Sequence, residues 1–296
     1  RIGAWLATRS RTHIDPGPEE IEIELTTADP LAAGSLMRPR GEEVGQRGLI
    51  GLEVIRSVAA AIADCDDVRI VLGGFGEPCG HPRFGEICRI FRESSAAAIA
   101  VRTGAAFEAV APAHPIDGAA VEDALFETPV DVVEVMLDAA TPETYRRIHG
   151  ADVYPQVLAR LERWMMRRAA QQQVRPLIVP SMVKAEETVA EQEAFFDAWQ
   201  RRLGAALITG YSHCAGQRPR RAVTSTAPPS RGEPCRRVFR RMMILADGSV
   251  TTCDQDFAGR QVVGRLGEAS LHDLWQGARL AAIRANPAHD EPLCPA

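Results

Sequence analysis

The sequence predicts an α/β fold with a largely parallel sheet, followed by a small second unit. Three observations lead there. Short apolar runs alternate about six times with segments of helical period, the signature of parallel strands joined by helical crossovers. The second, third and fourth runs stop at Gly73, Gly104 and Asp138, residues that turn a chain. After Tyr211 the texture changes to Arg, Pro, Ser and Thr, and cysteines then reappear around an Asp-Gly turn.

The elements follow in order. Residues 1–20 read as a leader with Pro16 and Pro18. Ile21–Thr27 alternates apolar and polar residues, a strand pattern, and 29–48 reads as a Gly, Pro and Arg loop. Helical period marks Leu49–Ala63, and Val68–Leu72 is a second strand ended by Gly73-Gly74-Phe75-Gly76-Glu77-Pro78. Phe84–Glu93 is a helix, Ala98–Thr103 a strand, and Val130–Leu137 a strand ended by Asp138. Helices are expected over Thr141–His149 and Tyr154–Arg168, a strand over Leu177–Val183, a helix over Glu186–Arg202 and a short strand over Ala205–Thr209. Residues 21–211 would form the first unit and 212–234 a linker. The second unit, 235–296, holds strands Met242–Leu245 and Ser249–Cys253 about the Asp247-Gly248 turn, and a closing helix over Leu271–Arg284. Its core looks too thin to stand without a metal or disulfides.

Composition narrows the function. The 296 residues are 46% hydrophobic and 25% charged, as in a globular protein rather than a disordered chain. Lys+Arg 34 against Asp+Glu 39 leaves a net charge of −5, which argues against a general nucleic-acid binder. No apolar run is long enough for a membrane span, and no signal peptide stands in a sequence that begins at Arg1 rather than Met. Seven unevenly spread cysteines suit a reducing cytoplasm better than a secreted disulfide framework.

Two motifs carry chemistry. The run Gly73–Pro78 lets a backbone approach a ligand closely and offers the Glu77 carboxylate to an ammonium group; a tight turn after a strand is the competing reading. Cys235, Gly248, Cys253 and the distant Cys294 would bring three thiolates to one site, with a fourth expected beyond Ala296. Such sites hold zinc or an iron–sulfur cluster.

Taken in order, these residues resemble the radical SAM superfamily with a C-terminal Twitch/SPASM extension. Glu24-Leu25-Thr26-Thr27-Ala28 resembles the strand leading into that family's cysteine loop. Gly74-Phe75-Gly76-Glu77-Pro78 with His81-Pro82 resembles its GGE-type motif, Val133–Asp138 with Thr141 and Tyr145 its fourth strand, and Pro180-Ser181-Met182-Val183 with Glu191 its fifth. Cys235, Asp247-Gly248, Cys253, Asp254, Gly264, Leu271 and Trp275 resemble Twitch/SPASM. The resemblance implies a partial (β/α)6 TIM-like barrel with its site at the C-terminal ends of the strands. It implies S-adenosyl-L-methionine, a [4Fe–4S] radical SAM cluster and one auxiliary [4Fe–4S] cluster on Cys235, Cys253 and Cys294. Gly74, Phe75, Gly76 and Glu77 would meet the methionine part of the cofactor, with Arg102 and Ser181 as further contacts.

The same resemblance implies reductive cleavage of the cofactor and abstraction of a substrate hydrogen atom. The net reaction would be dehydrogenation, or epimerisation if Cys214 returns a hydrogen, on a sugar- or aminocyclitol-like small molecule. Peptide modification is the alternative. The implied partners are that substrate and an external flavodoxin- or ferredoxin-like electron donor, with no nucleic acid and no membrane.

One departure stands against this. Counting from Thr27 puts Asp29, Ala33 and Leu36 where three cluster cysteines belong. Either the chain is a degenerate homologue that binds a ligand or partner without making radicals, or a cysteine-bearing loop belongs between Ala28 and Asp29. The flanks suit the second alternative better, so a cysteine-bearing loop is expected there. Among other residues, Cys79 lies beside the Gly73–Pro78 run and His81 follows its turn; Cys65, Cys88, Trp164, Met165 and Met166 read as core. Asp254 and Asp256 flank the second auxiliary thiol, and Trp275 would fasten the small unit to the barrel.

Overall fold

The structure is a computed structural model, and it describes residues 17–31, 34–39, 44, 46–107, 115–128, 130–212, 214, 218, 221, 223 and 235–285. The expected leader therefore lies mostly outside the described residues, as do most of the 212–234 linker and Cys294.

The sheet has nine strands in the order β6-β5-β4-β3-β2-β1-β7-β8-β9. These are β1 (Glu20–Glu24), β2 (Arg69–Gly73), β3 (Ala98–Thr103), β4 (Val132–Met136), β5 (Leu177–Lys184), β6 (Leu207–Gly210), β7 (Arg241–Ile244), β8 (Ser249–Thr251) and β9 (Val262–Arg265). Strands β1 to β6 run parallel to their neighbours, joined by α1 (Leu52–Ala61), α2 (Phe84–Ser94), α3 (Gly118–Glu127), α4 (Pro142–His149), α5 (Tyr154–Ala170) and α6 (Gln192–Leu203). The chain closes with α7 (Leu271–Gln276) and α8 (Ala278–Ala285).

The helices cover one face of the sheet. Ile21, Ile23, Ile70, Leu72, Ile99, Val101, Val133, Val135 and Ile178 point into that layer and are fully buried. They share one core cluster with Ile55 and Val58 of α1, Phe91 of α2, Leu125 of α3, Leu161 and Trp164 of α5, and Phe195 of α6. The other face mixes charged and apolar residues and is only partly covered: Ala100 and Arg102 of β3 and Val132, Glu134 and Met136 of β4 are half-buried where their neighbours are sealed. A parallel sheet is usually apolar on both faces. The alternation Glu20-Ile21-Glu22-Ile23-Glu24 is therefore the mark of a strand that closes a core on one side and lines a cup on the other.

Three differences from expectation are instructive. Helix α3 and strand β9 were not anticipated; α3 begins at Asp117, whose carboxylate accepts from the backbone N–H of Ala119 and Ala120. The single closing helix is two, parted at Gly277. The small unit has no separate sheet: β7 pairs parallel with β1, from Glu20 opposite Arg241 to Ile23 opposite Ile244. Trp275 then packs into the barrel's own core cluster.

Candidate functional site

The C-terminal ends of β1 to β5 converge on a buried polar cluster. After β1, Ala28 and Asp29 both take part in local bonds. The Ala28 N–H donates to Thr26 Oγ1 at 3.1 Å, and Asp29 Oδ1 accepts from the Leu31 N–H at 2.8 Å. Asp29 Oδ2 receives the Arg38 guanidinium, with side-chain exposures of 1% and 10%. A second Arg38 nitrogen lies 3.8 Å from Met136 Sδ at the end of β4. Burial opposes the Arg38 charge, but Asp29, Glu77 and Asp138 outweigh it and hold its pKa above the ordinary value.

Glu77 stands at the centre. Its Oε1 accepts from Thr103 Oγ1 at 2.7 Å and from the Cys79 N–H at 3.2 Å; its Oε2 accepts from the Gly104 N–H at 2.8 Å. The Glu77 N–H donates to the Ala28 carbonyl at 2.8 Å. Burial pushes its carboxyl pKa up, with Arg38 acting against it. The turn before it needs glycine: Gly74 has φ +83°, and a Cβ there would stand 2.8 Å from Glu24 Cβ. At Gly76 a Cβ would meet the Thr26 carbonyl oxygen at 2.0 Å.

Deeper in the cluster, Asp138 takes an uncommon φ of +55° and its Oδ1 accepts from the Val183 N–H at 2.8 Å. Burial raises its pKa to about 6. His149 Nε2 lies 3.6 Å from Asp138 Oδ2, while burial lowers the histidine to about 3 and leaves the ring neutral. His149 Nδ1 is 3.5 Å from Ser35 Oγ, and the Leu36 N–H donates to the Ile148 carbonyl. Segment 34–38, which carries Arg38, is thereby fastened to the end of α4.

The other expected residues are placed as follows. Arg102 donates to Glu22 Oε1 at 2.8 Å and to Glu134 Oε2 at 3.2 Å, so it faces the cup and is doubly paired. Ser181 is buried in β5, its hydroxyl 3.4 Å from the Val135 carbonyl. Phe75 and Cys214 come together: they share an apolar cluster with Val44, Met243, Leu245 and Phe257. Cys214 has φ +50°, and its N–H is capped by Ser212 Oγ at 3.1 Å. Cys79 is buried beside Glu77, and burial raises its pKa well above the usual thiol value. His81 is lowered by burial, with a ring nitrogen 3.2 Å from the Ile50 carbonyl. Cys88 and Trp164 are core as expected, Met165 packs against the core, and Met166 is exposed.

The small unit meets this mouth through its backbone, at the Phe257 carbonyl and the Ala246 N–H. Arg47 grips Glu24 with two nitrogens at 2.8 Å each, and Glu24 Oε2 also accepts from the Ala246 N–H at 2.9 Å. Cys235 and Cys253 are half-buried thiols, and both act electrostatically on Arg237, which is anchored by Asp254. The Gln255 N–H points at Cys253 Sγ at 3.4 Å. Asp256 is fully buried and accepts from the Arg260 and Gln261 N–H groups at 2.9 Å each, closing the loop behind Cys253.

Three groups can be tested against these residues. Half-buried thiols with a backbone N–H aimed at one sulfur are a donor set that fits an iron–sulfur cluster at Cys235 and Cys253; Cys294 lies outside the described residues. Glu77 uses three of its roughly four acceptor sites, so one remains for a cofactor ammonium. The tip of β1 does not fit a thiolate-bound cluster. No cysteine occurs before Cys65, and Asp29 is engaged by Arg38. Sequence reasoning passed over Glu22, Glu134 and Arg38; charges alternating with Ile21 and Ile23 in a strand of a parallel sheet were the available signal.

Residues 235–296 match the SPASM family, an iron–sulfur cluster-binding domain. A protein of Treponema pallidum (strain Nichols), described as uncharacterized, is 24% identical over 280 residues, covering 94% of this chain and 77% of that protein. Among solved structures, Streptococcus suis SuiB bound to S-adenosylmethionine is similar with a TM-score of 0.67 at 14% identity, covering 95% of this chain and 71% of that one. BtrN in complex with AdoMet and 2-DOIA is similar at 0.55 and 14% identity, covering 90% and 85%. For anSMEcpe with bound AdoMet the values are 0.62, 12%, 90% and 82%.

Proposed function

We propose, from the premise that this chain has the radical SAM fold with a SPASM-type C-terminal domain, that it binds S-adenosylmethionine and a second ligand at the C-terminal edge of its sheet. An auxiliary iron–sulfur cluster would sit alongside. The observation that carries this reading is the buried Asp29–Arg38 pair at the tip of β1. A guanidinium held by a carboxylate takes the place where the resemblance expects three thiolates.

In this reading Gly74, Phe75, Gly76 and Glu77 receive the methionine end of the cofactor, Glu77 with its remaining acceptor site. Arg102 and Ser181 act indirectly: Arg102 shapes the cup through Glu22 and Glu134, and Ser181 tethers the end of β5. Cys235, Cys253 and Cys294 hold the auxiliary cluster, which supplies one-electron chemistry when bound. Arg237 offsets the thiolate charge, Asp254 orients Arg237, and Asp256 keeps the loop closed around Cys253. Cys214 packs with Phe75 and Phe257 and steadies the lip of the mouth. The second ligand is a small molecule, as in the BtrN complex, or a peptide, as in the SuiB complex with precursor peptide SuiA.

A second reading is favoured by the fold relatives, which are radical SAM enzymes. It makes this chain an oxidoreductase or epimerase supplied by an external flavodoxin- or ferredoxin-like donor. Anaerobic reconstitution followed by incubation with S-adenosylmethionine and dithionite separates the two. The first reading expects retention of the intact cofactor and no 5′-deoxyadenosine. Turnover to 5′-deoxyadenosine and methionine establishes the second.

A further inference from the structure

The auxiliary thiols stand beside an excess of positive charge. Cys235 immediately precedes the single turn Arg236–Phe239, which carries Arg237. Cys253 Sγ lies 3.8 Å from Asp254 Oδ1, and that same oxygen receives the Arg237 guanidinium. Asp254 Oδ2 is 3.4 Å from an Arg241 nitrogen. Arg241 reaches in turn to Glu20 of β1 at 3.1 Å, and Glu20 also takes Arg69 of β2. Three guanidinium groups, Arg237, Arg241 and Arg69, are thus set against two carboxylates, Asp254 and Glu20. The set runs from the loop that carries Cys253 across the pairing of β7 with β1.

The sign of this charge has a redox consequence. A bare Asp254 carboxylate would repel a thiolate at 3.8 Å, but its two arginines reverse the local sign. A thiolate-held cluster is an anion, and one-electron reduction adds a further negative charge. A fixed cation alongside therefore favours the reduced form. Arginine keeps its proton at any working pH, so this charge does not titrate. Arg237 leaves 39% of its side chain exposed and Arg241 32%, so solvent and salt screen both and the effect is moderate. The Gln255 N–H, 3.4 Å from Cys253 Sγ, acts in the same sense.

We infer that Arg237, held in place by Asp254, raises the reduction potential of the auxiliary cluster, and that Arg241 and Glu20 extend this control onto β1. Asp254 is a positioning residue that acts through Arg237. The inference deepens the proposed function by naming what governs the auxiliary site, and it rests on that reading for a cluster being held at Cys235 and Cys253.

The test is a potentiometric titration of the anaerobically reconstituted full chain, followed by visible absorption and electron paramagnetic resonance, with iron and sulfide counted on every sample. Arg237→Gln should keep its iron and shift the reduction equilibrium about tenfold toward the oxidised form, a potential lower by ~59 mV for a one-electron couple. Arg237→Lys keeps the charge and should restore most of that difference. Glu20→Gln removes an anion from the same set, on the barrel's own strand, and should shift the equilibrium the opposite way. A loop merely loosened by substitution would give neither the opposite sign nor the rescue by lysine. Equal potentials in the wild-type chain and Arg237→Gln overturn the inference, and so does a lysine variant that matches Arg237→Gln. Should Arg237→Gln assemble no cluster, Glu20→Gln decides alone, and an unchanged or lowered potential there overturns it. A wild-type chain that assembles no cluster overturns the proposed function and this inference together, whereas an assembled cluster indifferent to these charges overturns this inference only.

Discussion

On the proposed reading, Asp29 and Arg38 stand where the resemblance expects three thiolates. A thiolate trio would bring its own metal; a carboxylate and a guanidinium neutralise each other and need none. Breaking the pair by Asp29→Asn leaves a buried guanidinium beside Met136 without its counter-ion, and we expect a loss of about 3–5 kcal/mol in urea unfolding. His149 gives a residue-scale dependence on pH. Its folded pKa of about 3 lies below the unfolded value of 6.5, so the unfolded chain takes up the proton first as pH falls. Its contribution to stability is complete above pH 6.5 and is lost progressively toward about 3. Asp138, raised from 3.8 to about 6, works the other way, costing stability as pH rises through that window. His149→Gln should flatten the acid side of the stability profile, with denaturation midpoints converging on a shallower curve below pH 6.5; an unchanged acid slope would place the titration elsewhere.

At the scale of the element, the turn after β2 is set by glycine conformation and by contact together. Gly74→Ala forces a side chain into φ +83° and against Glu24, the residue that ties the barrel to the small unit through Arg47 and the Ala246 N–H. The conformational part alone costs about 1–2 kcal/mol. We therefore expect a drop in melting temperature with weaker cofactor binding, measured by differential scanning and by equilibrium dialysis of S-adenosylmethionine. Elements with a strong period were legible in sequence: β1 to β6 and helices α1, α2, α4, α5 and α6 fall where apolar spacing places them. Helix α3 was not, because Gly118-Ala119-Ala120 opens it with small residues of weak periodicity and the cap Asp117 gives its one start signal. Strand β9 was hidden for a different reason: Val262-Val263-Gly264-Arg265 is too short to show alternation, and it exists by pairing with β8. The polar cluster was half legible. Glu77 announced itself by its glycines, but its partners Thr103 and Gly104 come from another strand's end and carry no motif.

For the whole molecule, the continuous sheet is the main result. Because β7 lies against β1, Cys235 and Cys253 flank strands that continue the barrel's own sheet. Across that seam Glu20 pairs with Arg241, Arg47 donates to the Phe257 carbonyl, and Glu24 accepts from the Ala246 N–H, so the two parts share polar contacts. Trp275, wholly buried and with the Arg284 guanidinium 4.1 Å above its ring, closes the core from the far end. Trp275→Ala should cost about 3–5 kcal/mol and unfold both parts in a single transition; two separate transitions would show that they are independent. Counting iron decides what the tip of β1 holds. After anaerobic reconstitution, iron and acid-labile sulfide should correspond to a single cluster per chain, and Cys253→Ala should abolish it. Two clusters' worth of iron in the wild-type chain, with one surviving in Cys253→Ala, would place a second cluster in this chain and overturn the single-cluster reading.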